Sequence, residues 1–180
     1  MILDFDQIAF WGFALTLTFV AAWLDWKSRR IPNWLTVSGF LSGIALRTCL
    51  DGWHGSVTAI AGAGLALVII LPPVLMRGLG AGDWKLMGAV GSILGPHPFL
   101  AVLLVSVFIS GLMAILLMIK TKRVKSTLRN MAVLVHGFFT FGLRPSPQIS
   151  LDNPTLLKLP FGVAAAIGTL ICFLRARWGA

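Results

Sequence analysis

Five stretches of this sequence are long and apolar enough to cross a bilayer: residues 8–24, 34–50, 57–76, 99–119 and 156–174. A helical span takes about 20 apolar residues. Inside lipid the backbone must satisfy its own N–H and C=O groups, which leaves helices as the available element for runs of this length. A sixth stretch, 84–95, stops at "PHP" and suits a short or partly re-entrant helix. The expectation is an all-α polytopic membrane helix bundle of about six transmembrane helices with a short fourth, forming a single domain over 1–180. The N-terminus, "MILDFDQ", is acidic where a secretory signal is basic, so the first span reads as retained.

Charge supports the same class. Only 12% of residues are charged, against 57% apolar, where soluble domains carry roughly one quarter charged. Fifteen Lys plus Arg face six acids, all of them Asp, so the net charge of +9 reflects scarce carboxylates. Cations flanking apolar runs point to anionic lipid and a positive-inside bias rather than to nucleic acid. With the N-terminus outside, Lys27, Arg29, Arg30, Arg77, Lys85, Lys120 and the cations from Lys122 to Lys158 fall inside, leaving Arg47, Arg175 and Arg177 outside. Arg47 interrupts the second apolar run.

Other residues read as structure. Cys49 and Cys172 lie in apolar runs without C-x-x-C spacing and are expected as buried small hydrophobes. His54, His97 and His136 are scattered, so no metal site and no cofactor is expected. Trp23, Trp26, Trp34, Trp53, Trp84 and Trp178 fall near span ends, as in an interfacial belt. Pro72 and Pro73 should kink or end the third span. Gly88, Gly91 and Gly95 share one helix face at small-residue spacing, which is expected to pack the fourth helix against the first. The segment "MAVLVHGFFTFGL", 131–143, suits an interfacial or re-entrant helix.

Two of the six acids stand out. Asp25 follows the first span in "LDWK", and Asp83 opens the short helix in "GDWK", so both emerge on the inner side. Taken singly, Asp83 could be an N-terminal cap and Asp25 a solvated interfacial charge. Taken together, carboxylates at a bilayer edge are costly and usually functional. Two adjacent carboxylates cannot both ionise cheaply, so one keeps a proton while the other activates a water, which is the chemistry of an aspartic protease. A proton- or ion-coupled small transporter using Asp25 and Asp83 at a broken helix is the alternative.

The segments "DWKSRRIPN" at 25–33, "GAGDWKLMGAVGSILG" at 80–95 and "LPFGVAAAIG" at 159–168 resemble, in order, the signature motifs of type IV prepilin peptidases. The resemblance implies a membrane aspartic endopeptidase with Asp25 and Asp83 catalytic. Its substrates would be prepilins or pseudopilins, cut after a glycine that ends a basic leader, at the cytosolic face of a bacterial inner membrane. Gly80 and Gly82 would shape the loop before Asp83, Lys85 would bond or screen the pair, and Arg30, Pro32 and Asn33 would order the turn after Asp25. Larger family members carry a paired C-x-x-C loop between the first two spans. Its absence here resembles the short Flp or tight-adherence type and implies no N-methyltransferase activity. Substrate and membrane lipids are the expected partners, and nucleic acid is not.

Overall fold

The computed structural model describes residues 4–76, 78–121 and 160–178. Its helices are α1 (Phe5–Ser28), α2 (Asn33–Leu75), α3 (Ala81–Leu94), α4 (Pro96–Lys120) and α5 (Phe161–Trp178). No strand occurs among the described residues. Four of these helices, all but α3, are long and apolar enough to cross a membrane. The chain is an all-α, multi-pass membrane protein. The segment 131–143, Arg77 and the cations between Lys122 and Lys158 lie outside the described residues.

Helix α2 is 43 residues long but is not one rod. Gly52 sits at φ 61, ψ −141, a conformation that breaks the helical ladder and that glycine adopts without a Cβ penalty. Across it the Thr48 and Ser56 hydroxyls are 2.8 Å apart. Gly43 lies against Ser92 and Ile93, while Gly62 lies against Gly91 and Gly95. In a straight helix Gly43 and Gly62 would be about 28 Å apart, so α2 doubles back as two limbs, 33–51 and 53–75. These are the second and third apolar runs of the sequence. Pro72 and Pro73 fall within the last turns, and the helix ends at Leu75, soon after them.

The short helix is the centre of the bundle. Residues 86–94 of α3 are all buried, and Leu86, Met87, Ala89, Val90 and Ile93 are wholly inaccessible. A helix apolar on every face belongs inside a bundle rather than on its surface. Around it, α1 and α5 run antiparallel, with Asp25 of α1 near Gly162 of α5 at one end and Trp11 near Phe173 towards the other. The outward face of α4 leaves Leu104, Val107, Phe108, Leu112 and Leu116 exposed, a surface suited to acyl chains.

The glycine face of α3 meets α2, not α1 as expected. Gly88 lies against Leu67, Gly91 against Gly62 and Ala66, and Gly95 against Thr58 and Arg47. Periodicity identifies a face fit for close approach but cannot name its partner. The Gly62–Gly91 crossing is the tightest of the glycine approaches between α2 and α3. A Cβ on Gly62 would strike the Gly91 carbonyl oxygen and come within 2.8 Å of the Gly95 Cα. Backbone cannot yield as a side-chain tip can. Gly62→Val should therefore destabilise the fold by about 1–3 kcal/mol, read as a lowered unfolding midpoint in detergent.

Two further expectations need correction. Cys49 is exposed, and only Cys172 of the two cysteines is buried. Trp23, Trp26, Trp34, Trp53 and Trp178 are exposed near helix ends. Trp84 instead is half-buried and donates its indole N–H to the Leu67 carbonyl at 2.8 Å. It pins α3 to the second limb of α2.

Candidate active site

Asp25 occupies the last turn of α1 and is 6% exposed. Just beyond it Arg29 takes the left-handed conformation, φ 53, and its N–H closes the helix on the Asp25 carbonyl at 2.8 Å. The side chain turns the other way, into the bundle. Its Oδ2 accepts the backbone N–H of Gly162 at 2.9 Å. Gly162 is the second residue of α5, so this N–H is one of the first-turn donors that the helix itself cannot use. A helix N-terminus also carries partial positive charge, which favours a carboxylate there. Residue 162 has to be small for the contact to form: a Cβ would lie 3.1 Å from both Asp25 Cβ and Oδ2, and 3.3 Å from the Ala21 carbonyl.

Asp83 is the third residue of α3, with Gly80 as N-cap. Its carboxylate folds back to accept a hydrogen bond from the Gly80 backbone, as the acidic residue of a capping box does. Asp83 is therefore not the N-cap itself, a place that Gly80 takes, but it supports the cap from the third helical position, and it has a second property. Desolvation at this junction, and then the nearby Asp25 carboxylate, push the Asp83 carboxyl up to about 7, the Gly80 hydrogen bond pulling the other way. The two acids, far apart in sequence, therefore sense each other electrostatically.

The remaining candidates gather at the same end. Gly82 packs on the turn between α1 and α2, where a Cβ would come 3.2 Å from Ile31 Cβ and 3.3 Å from its carbonyl oxygen. Pro32 is the N-cap of α2, and its carbonyl accepts the Leu35 N–H at 3.2 Å. Lys85 donates to the Asn33 side-chain oxygen at 3.0 Å, tying α3 to the start of α2. Arg30 is exposed, and its carbonyl accepts the Ser28 hydroxyl at 3.1 Å. Lys85 thus serves a neighbouring amide in this structure.

Chemically, two coupled carboxyls can share one proton and hold a water between a base and an acid. Among the described residues, no group of three or more His, Cys, Asp and Glu could hold a metal ion. Gly162 was not singled out from sequence as a partner of Asp25, because its contribution is a backbone N–H. The "PFG" at the head of a span was the available signal. For Arg47 the sequence indicates an interruption of a span and an outer-side cation, not its carbonyl partners.

No solved structure matches the chain. The prepilin leader peptidase/N-methyltransferase of Bacillus subtilis (strain 168) is 29% identical to it over 100 residues. That match takes in 54% of this chain and 40% of the relative, so it spans less than half of the Bacillus protein's length. Residues 12–117, more than half of the sequence and a stretch that includes both Asp25 and Asp83, match the type IV leader peptidase family, and the chain belongs to that family.

Proposed function

We propose that this protein is an aspartic endopeptidase of a bacterial inner membrane that removes the basic leader from type IV prepilins or pseudopilins of the Flp kind, cutting after a glycine at the cytosolic face. Asp25 and Asp83 are its catalytic pair. One carboxyl, ionised, takes a proton from a water held between them. The other, protonated, polarises the scissile carbonyl, and the pair returns a proton to the departing amine. Gly80, Gly82, Pro32, Asn33 and Lys85 order the two turns that carry the acids. The apolar helix of the substrate lies against the bundle within lipid, its leader at the headgroups.

The observation that supports this reading is that Asp25 and Asp83 share one end of the bundle, Gly82 packing on the turn that follows Asp25, near enough for the Asp25 charge to raise the Asp83 carboxyl, with each carboxylate also held by a backbone hydrogen bond. Only residues 29–32 separate α1 from α2, too few for an added loop domain, which favours the short type without methyl transfer.

Mass spectrometry of a prepilin co-expressed with the protein tests the proposal. The expected product is the mature pilin with its leader lost after glycine and an unmethylated N-terminus. Persistence of the full precursor would overturn the peptidase reading, and an enzyme-dependent N-methyl group would overturn the exclusion of methyl transfer.

A pH profile supplies a further prediction. The pair needs one proton, and the Asp83 carboxyl releases its proton near 7. Cleavage should therefore decline as pH rises through about 7, the limb belonging to the coupled pair rather than to one residue. An unchanged rate up to pH 9 would contradict it.

A further inference from the structure

At the end of α3 remote from Asp83, the carbonyls of Ile93 and Leu94 lack a helical continuation. Gly95 turns the chain at φ 78, and α4 begins at Pro96. In an unbroken ladder the Leu94 carbonyl would be met by the N–H of residue 98, but residue 98 is proline and has none. Ile93 loses its donor to the turn. A carbonyl buried without a donor is costly.

Arg47 fills both places. Its Nε donates to the Ile93 carbonyl at 2.8 Å and its Nη2 to the Leu94 carbonyl at 2.6 Å. Nη1 pairs with Asp51 at 3.3 Å. The guanidinium also lies over the Phe10 ring of α1, 4.2 Å from its centroid. A cation at a helix C-terminus meets the negative end of the dipole, and the planar fork of arginine suits two adjacent acceptors where a lysine ammonium does not.

The placement matters because α3 is a stiff rod about 21 Å long with Asp83 in its first turn. Asp25 lies on α1, which Arg47 touches at Phe10. Asn33 opens the same limb of α2 that carries Arg47. At the near end Lys85 binds Asn33, along the way the Ser92 hydroxyl donates to the Phe40 carbonyl at 3.3 Å, and at the far end Arg47 grips the last two carbonyls of α3, so polar ties seat α3 against that limb at both ends. We infer that Arg47 is a positioning residue, which sets the axial seat of α3 and through it the alignment of Asp83 with Asp25.

This inference rests on the leader-peptidase reading for its kinetic test. In proteoliposomes with a prepilin substrate, Arg47→Met should lower kcat about 100-fold, the scale on which a displacement of about 1 Å acts, with KM unchanged within about twofold. Arg47→Lys, able to serve one carbonyl, should recover part of the loss. Asp51→Asn, which leaves both bonds to α3 in place, should cleave as the native protein does. Nitroxides on Lys27 and Ala81, with Cys49 and Cys172 replaced, give a readout independent of catalysis. Their distance distribution should shift or broaden in Arg47→Met and stay fixed in Asp51→Asn. Native kcat in Arg47→Met, a loss confined to folded yield with the surviving protein fully active, or an equal loss in Asp51→Asn would each overturn the inference. If the native protein cleaves no prepilin, the peptidase reading fails, while an undisturbed spin-label distance in Arg47→Met overturns the positioning role by itself.

Discussion

Asp25→Asn and Asp83→Asn should each reduce leader release by about 10³-fold or more, since each removes one half of a paired acid and base, while both proteins remain folded. The two variants should nevertheless differ in stability, and that difference separates catalysis from architecture. Folding raises the proton affinity of Asp83 from an ordinary carboxyl near 3.8 to about 7. A raised carboxyl contributes stability that is complete below about 4 and is lost as pH climbs through about 7. At pH 8 the native protein holds an ionised Asp83 next to the Asp25 carboxylate, and asparagine removes that repulsion while still offering an oxygen to the Gly80 N–H. Asp83→Asn should thus unfold at a temperature equal to or above that of the native protein at pH 8, with cleavage lost. Asp25→Asn relieves the same repulsion but weakens the Gly162 hydrogen bond, because a neutral amide oxygen accepts less strongly than a carboxylate does, so its net change in stability should be smaller. Retention of cleavage in either variant would end the catalytic assignment. A matched collapse of fold and activity in both would point to structural acids instead.

What the sequence disclosed, and what it hid, divides along a physical line. Apolar runs gave the helices and their approximate ends, because lipid imposes length and composition directly. The family motifs brought out Asp25 and Asp83, because side-chain chemistry is written at its own position. The partners of those side chains were less legible. Gly162 acts through an N–H that every non-proline residue possesses, and only its missing Cβ hints at the close approach. Arg47 looked like an intrusion into a span, since the carbonyls it serves are created by a turn and a proline about 50 residues away. The glycines of α3 announced a close contact, but hydropathy, which already separated the two limbs of α2, carries no information on which neighbouring helix that face meets. Local pattern specifies what an element can do, and topology decides with whom.

Gly162 supplies the second large effect. In Gly162→Ala the new methyl would sit 3.1 Å from Asp25 Cβ and Oδ2 and 3.3 Å from the Ala21 carbonyl, closer than ordinary van der Waals contact. Two of these neighbours belong to the acid itself, and the third is α1 backbone, so relief must come from moving Asp25 or tilting α5. Either motion stretches the 2.9 Å bond from the Gly162 N–H and displaces the carboxylate relative to Asp83. Displacement of a reacting group by about 1 Å costs up to about 100-fold. Cleavage in Gly162→Ala should fall 10- to 100-fold in kcat, with KM little changed if substrate is held by the apolar helix and not by the acid. Val163→Ala, one residue on and half-buried, leaves the N–H and its approach intact and should cleave normally. The larger Gly162→Val should lose activity completely and part of its stability as well, because its branches cannot be absorbed between α1 and α5. Equal activity in Gly162→Ala and Val163→Ala would mean that the α5 N-terminus does not seat the acid, leaving the burial of Asp25 to be explained by α1 packing alone.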